Sequence, residues 1–150
     1  MSPLTLGAWC ALLLVATRPT AEAPIRVIVN RGTAVESLDL KDLNRMYLGN
    51  LSSLPGGGRI VLAEHVGARE RFYSIVAKMT EDRFRRHWIR VVFSGIPVSP
   101  PMPFATADEV TQFVSRTPGA IGFLEGAANE TVRVVRIDGK EASDPGYPLR

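Results

Sequence analysis

Few residues of this chain have the type and spacing to do chemistry. His65 and His87 are its two histidines. They are not spaced as metal ligands, and no cysteine or carboxylate cluster completes a set, so the sequence is read as holding no metal. Ser74, Ser94, Ser99 and Ser115 lack the G-x-S-x-G turn that lifts a nucleophile out of a sheet. Gly56-Gly57-Gly58 lacks the G-K-[ST] that would hold phosphate and magnesium, and reads as a flexible turn. With no acid–base or nucleophile constellation in view, the expectation is a protein that is not an enzyme and carries no cofactor.

What remains is the chemistry of anions and surfaces. Asn30-Arg31-Gly32-Thr33 follows the first apolar segment. Ligands of doubly wound sheets sit outside the carboxyl ends of strands, and there Arg31 offers a charge and Thr33 a hydroxyl; the other reading is a polar loop with a solvated arginine. Arg83, Arg85, Arg86 and Arg90 form the main charge run, with positions 83, 86 and 90 on one helical face. That face is either simply solvated or a docking surface for an acidic partner or an anionic membrane.

These groups must be positioned by a chain of 150 residues with 18 Lys+Arg, 15 Asp+Glu and 45% hydrophobic residues. Such a length suits one domain, and the composition argues against disorder. A net charge of +3 is too mild for a dedicated nucleic-acid binder. The single cysteine, Cys10, excludes a disulfide framework. Leu4 to Ala16 is almost wholly apolar, shorter than a membrane span of about 20 residues and of the length of a signal-peptide core. Ala21-Glu22-Ala23 then supplies a small-x-small cleavage pattern. The expected organisation is a signal peptide over residues 1–23, cut after Ala23 or retained as an anchor, and one domain over residues 24–150 that is exported, to the periplasm or beyond. That domain carries no cysteine and must be stabilised by packing alone.

Along the domain, strands and helices alternate. Ile25 to Asn30 reads as a buried strand. Asp39 to Tyr47 reads as a helix with Leu40, Leu43, Met46 and Tyr47 on one face, Asp39 as its cap and Gly49 as its stop. Leu54 to Gly58 is a turn cluster, and Ile60 to Ala63 a second strand. Gly67 to Met79 and Glu81 to about Phe93 read as helices. The first turns Phe72, Ile75, Val76 and Met79 inward, the second Phe84, Trp88, Ile89 and Val92. The proline-rich stretch Ser94 to Phe104 reads as a loop. Thr106 caps a further helix carrying Val110, Phe113 and Val114, with Glu109 as its capping-box partner. Ala120 to Leu124 and Thr131 to Ile137 complete four strands; Asp138-Gly139 turns the chain, and the end after it reads as loose. The order predicts an α/β domain of two or three layers.

Three stretches in this order resemble the periplasmic phosphate-binding protein family of ABC transporters. Leu40 to Gly57, LKDLNRMYLGNLSSLPGG, is similar to the segment where a helix ends in a Phe-x-Gly-Lys corner followed by a turn. Glu64 to Phe72, EHVGARERF, is followed by Trp88 and by Val92-Phe93-Ser94-Gly95. Val114 to Phe123, VSRTPGAIGF, is similar to the family's Val-x-x-x-Pro-Gly-Ala-Ile-Gly-Tyr. The resemblance covers residues 25 to 137 and only about one lobe of a two-lobed family. It implies a half-length, type 2 periplasmic-binding-protein-like domain: a single lobe with a short mixed sheet flanked by helices.

In that family a Ser-Gly-Thr-Arg run opens a helix and gives hydroxyls and amides to the anion. Here the run is Val66-Gly67-Ala68-Arg69, which keeps the glycine and arginine and loses both hydroxyls. The resemblance therefore implies a site of Gly67, Ala68 and Arg69, with His65 beside them and Arg31 and Thr33 facing them across the sheet edge. A helix start offers free amides and partial positive charge to such an anion, and the anion needs donors because burying it unpaired is costly. Two functions are expected. One is an exported, non-catalytic binding module for phosphate or another small oxyanion. The other is an envelope protein-interaction module that has lost the ligand and uses Arg83, Arg86 and Arg90 for contact. The oligomeric state is left open.

Overall fold

The computed structural model describes residues 22–54 and 58–150. The apolar segment Leu4 to Ala16, with Cys10, and the turn residues Pro55, Gly56 and Gly57 lie outside the described residues, as does the expected export signal except for Glu22 and Ala23.

Six strands form one mixed sheet in the order β2-β6-β1-β5-β3-β4. They are β1 (Ile25–Asn30), β2 (Ser37–Leu38), β3 (Val61–His65), β4 (Met102–Phe104), β5 (Ala120–Glu125) and β6 (Val132–Ile137). β1 lies antiparallel between β5 and β6, whereas β5, β3 and β4 run parallel to one another. The helices are α1 (Leu40–Tyr47), α2 (Arg69–Val76), α3 (Glu81–Phe93) and α4 (Ala107–Arg116), with a short 3₁₀ turn at Val66–Ala68 leading into α2.

Both faces of the sheet are covered, and side-chain alternation divides the core in two. On one side Ile25, Val27, Val29, Ile121 and Phe123 meet Leu43, Met46 and Tyr47 of α1, Phe72 and Tyr73 of α2, and Phe84 and Trp88 of α3. On the other, Ile28, Ala63, Ala120 and Leu124 meet Val110 and Val114 of α4. Burial on both faces is why β1, apart from Arg26, and β5, as far as Leu124, read as apolar runs. Gly122 lets α4 approach: a Cβ there would stand 2.9 Å from Val110 Cγ1 and 3.2 Å from Ala63 Cβ.

The larger core is largely aromatic. Phe72 stacks on Phe123 with ring centroids 3.7 Å apart, and Tyr73 on Phe84 at 3.5 Å. The polar tips of these rings are satisfied, as buried hydroxyl and indole groups require. Tyr47 Oη donates to Ala63 O at 3.0 Å, and Trp88 Nε1 donates to Tyr47 O at 2.9 Å. His87 Nε2 donates to Leu48 O at 2.8 Å. Side chains of α3 thus satisfy two carbonyls that the end of α1 leaves open. Gly49, at φ 79°, ends α1 as expected, and Thr106 and Glu109 form the expected capping box.

Five expectations are corrected. Asp39 makes no side-chain cap; Leu40 N donates instead to Asp138 Oδ1, across the sheet edge. The helix expected over Gly67 to Met79 is a 3₁₀ turn followed by α2, which ends at Val76. Ile89 and Val92 do not face inward but are half exposed, because at 3.6 residues per turn they fall to one side of the Phe84–Trp88 line. The proline-rich stretch ends in β4, an edge strand, where Pro103 needs no ladder donor. The chain end is not loose: Leu149 is fully buried, Ile25 N donates to Leu149 O at 2.9 Å, and Tyr147 Oη donates to Ile25 O at 2.8 Å.

This packing of the tail predicts that Leu149→Ala destabilises the fold by about 2–4 kcal/mol and Tyr147→Phe by about 1 kcal/mol, read as shifts in the urea midpoint at constant slope. Gly122→Ala is expected to cost about 1–3 kcal/mol through overpacking against α4.

Candidate functional site

β3, β4 and β5 are parallel, so their carboxyl ends, at His65, Phe104 and Glu125, finish on one edge of the sheet. The chain leaves β3 there through the 3₁₀ turn into α2, and leaves β4 for α4. The amino-terminal amides of α4 are already used, since Ala105 N and Thr106 N donate to Glu109 Oε2 and Glu109 N donates to Thr106 Oγ1. The corner between β3 and α2 makes no such side-chain cap.

The dominant group at this corner is Glu64. It lies in β3 with 6% of its surface exposed, among apolar neighbours. A buried carboxylate must be paired and hydrogen-bonded, and two side chains meet it. Tyr73 Oη donates to Glu64 Oε2. Arg69 Nη2 donates to Glu64 Oε1 at 2.5 Å, and Arg69 Nη1 donates to Glu81 Oε1 at 2.8 Å. One guanidinium therefore ties β3 to the first residue of α3. Burial pushes the Glu64 carboxyl above its ordinary range, with the Tyr73 hydroxyl and the Arg69 charge pulling it part of the way back. Burial, and then the Glu64 charge, push both Tyr47 and Tyr73 well above the usual phenol range.

A cleft of about 170 Å³ opens beside this triad, between Phe84, Arg85 and Trp88 of α3 and the prolines Pro100 and Pro101. Its lining carries two carboxylates, Glu64 and Glu81, and two guanidinium groups, Arg69 and Arg85. Its charges balance, and the rest of its wall is apolar.

Four of the six site residues expected from the sequence come together at this corner. His65, Gly67, Ala68 and Arg69 are consecutive with the end of β3. His65 Nδ1 accepts from Glu125 N at 3.3 Å, and its ring lies beside Gly67, where a Cβ would stand 3.3 Å from Nε2. Ala68 is buried. Arg31 and Thr33 are not brought to them. β1 runs antiparallel to β5, with Ile25 opposite Glu125 and Val29 opposite Ile121, so Asn30 and the loop after it lie at the other end of the sheet. Arg31 is exposed there, and Thr33 N donates to Asn30 O.

Sequence reasoning missed Glu64 and Glu81 as the partners of Arg69. One signal was available: Glu64 interrupts the apolar run Ile60-Val61-Leu62-Ala63, and an acid inside a buried strand demands a cation. A second arginine at the corner, Arg71, meets Glu125 at 3.8 Å, and also Glu22 at 2.7 Å and Ala23 O at 2.5 Å, two residues of the expected signal.

No protein-family model and no curated protein matches the sequence. Solved structures do match the fold. A protein assigned as a phosphate ABC transporter substrate-binding protein, from Clostridium perfringens and with bound phosphate, aligns with a TM-score of 0.65 at 21% identity, over 81% of this chain and 48% of that one. An ABC-type phosphate transport receptor from Vibrio cholerae aligns with a TM-score of 0.65 at 15% identity, over 82% and 49%. PstS from Borrelia burgdorferi aligns with a TM-score of 0.60 at 12% identity, over 86% and 55%. The chain has the α/β fold of a phosphate-binding-protein lobe and spans about half the length of the solved proteins it matches.

Two outcomes are expected of the triad. Arg69→Ala leaves Glu64 buried without its cation and lowers stability by up to about 3 kcal/mol, the lower end for a broken buried pair because the guanidinium is partly exposed. Glu64 has a folded pKa above its unfolded one, so its contribution is fully present below the unfolded value and lost as pH rises through the folded value. Thermal melts as a function of pH should show wild type gaining stability relative to Glu64→Gln as pH falls through that window. Parallel curves for the two proteins would exclude the assignment.

Proposed function

We propose that this chain is an exported, non-catalytic binding module for phosphate or a similar small oxyanion. The observation that carries the reading is the shared carboxyl-terminal edge of β3, β4 and β5, with the uncapped corner between β3 and α2. Ligands of open α/β sheets sit outside such an edge, and one of the similar solved proteins holds phosphate. The apolar segment Leu4 to Ala16 and the pattern Ala21-Glu22-Ala23 support export to the periplasm. One matched protein is assigned as a substrate-binding protein and another is a transport receptor, which supports a role without turnover.

The chemistry at the corner sets the strength. Main-chain amides at the opening of the 3₁₀ turn and the His65 imidazole are the available donors. Val66 and Ala68 replace hydroxyls, and Arg69 is neutralised by Glu64 and Glu81. Affinity is therefore modest at neutral pH. Protonation of Glu64 removes one of the two charges that hold Arg69 and leaves the guanidinium freer to meet an anion, so affinity rises as pH falls.

A second reading is favoured by that same pairing of Arg69. A lobe whose arginine is committed internally can keep its fold and act by contact, through the exposed face of Arg83, Arg86 and Arg90, on an envelope partner.

The test is a thermal-shift titration with phosphate, sulfate and chloride at matched ionic strength, at a neutral and an acidic pH. Ligand at a hundred times its Kd should add about 2.7 kcal/mol of stability. The expected result is a phosphate-specific rise that is larger at the lower pH, reduced by His65→Ala and unchanged by Arg31→Ala. A flat response to all three anions at both pH values would retire the oxyanion reading and leave the contact reading.

A further inference from the structure

α3 buries one side and leaves an amphipathic pattern on the other. Ile89 (51% exposed), Val92 (50%) and Phe93 (86%) leave an apolar row on α3, and Ile96 (51%) is exposed just beyond its end. Positions 89, 92 and 93 follow the i, i+3, i+4 spacing of a single helical face; Ile96 lies beyond the end of α3, after Gly95 turns the chain at φ 78°. Alongside runs a second row, Arg83, Arg86 and Arg90, also exposed. Among the described residues none of these three has a carboxylate within salt-bridge distance, whereas Arg85 is paired with Glu81 and Asp82. The result is a ridge, with Phe93 projecting at its tip, rather than a groove.

We propose that the C-terminal half of α3 is a peripheral attachment site for an anionic lipid surface. The proposal uses the same arginine face as the contact reading above but assigns it to lipid in place of a protein, and it is separate from the oxyanion reading, because Arg69 meets α3 only at Glu81, its first residue. Charge decides among the occupants. A second copy of this chain would set one uncompensated arginine row against another. An acidic protein would have to present a preformed apolar trough with carboxylates along one rim. A bilayer containing anionic lipid offers both parts in the order required, with headgroups at the level of the arginines and acyl chains below to receive Phe93, Ile89 and Ile96. Interfacial helices bind in this way, by shallow apolar burial plus attraction of basic residues to anionic lipid.

The experiment is co-sedimentation of the full chain with vesicles of equal parts phosphatidylglycerol and phosphatidylcholine, compared with phosphatidylcholine alone. The variants are Phe93→Ser with Ile96→Ser, and Arg83→Glu with Arg86→Glu and Arg90→Glu. All substituted positions are exposed, so an unchanged circular-dichroism melt confirms folding. Wild type should prefer the anionic vesicles and lose that preference at high salt. The serine variant should bind at least about tenfold more weakly, and the glutamate variant, which loses three arginines at about fivefold each, at least about a hundredfold more weakly.

The apolar segment Leu4 to Ala16 is common to all three proteins, so binding that persists unchanged in both variants arises there and overturns the proposal. Equal binding to the two vesicle types overturns it as well. Absence of vesicle binding, with self-association of wild type that the serine variant loses, overturns the lipid assignment while preserving contact through α3. Absence of both overturns the lipid assignment and leaves an acidic protein as the remaining occupant of this face. The serine variant should respond to phosphate as wild type does, so failure of the oxyanion reading is measured separately.

Discussion

A carboxylate placed inside a strand must be answered, and the answer given to Glu64 organises this molecule. Tyr73 of α2 and Arg69 at the start of α2 both turn toward it, and Arg69 extends to Glu81 at the start of α3. Three elements that are separate in sequence are thereby held in one register at the corner between β3 and α2. The aromatic stack of Tyr73 on Phe84 continues the same junction into the core. Apolar burial supplies most of the stability of such a domain, but it is not directional. The ion-paired carboxylate fixes where α2 and α3 begin.

The same interaction bears on function. An arginine at the head of a helix looks, in sequence, like a ligand for an anion. In space it already has two ligands of its own. The corner retains the geometry of an anion site and has committed much of its charge internally. An added anion must therefore rely on main-chain donors or compete with a carboxylate for the guanidinium.

How much was legible in the sequence follows from the range of the forces involved. Local signals sufficed for β1, α1, α3 and α4: the apolar run Ile25–Val29, the helical spacing of Leu43, Met46 and Tyr47, and the Thr106–Glu109 cap. The two shortest strands, Ser37–Leu38 and Met102–Phe104, exist only because β6 and β3 present edges to them, and no local pattern announces that. The ordered tail depends on Ile25, more than a hundred residues away. At the corner, residue types identified the segment from His65 to Arg69, but not that Glu64 and Glu81 converge on its arginine, nor that antiparallel β1 carries Arg31 and Thr33 to the far end.

β1 comes first among the strands and sits near the centre of the sheet, with β5 on one side and β6 on the other. Its neighbours are the last strands to be made. During synthesis the sheet cannot close around Ile25–Asn30 until residues up to Ile137 have emerged, and its contacts are of long sequence range, which slows them. A chain built in this order secures its central strand last, although that strand is made before both of its partners.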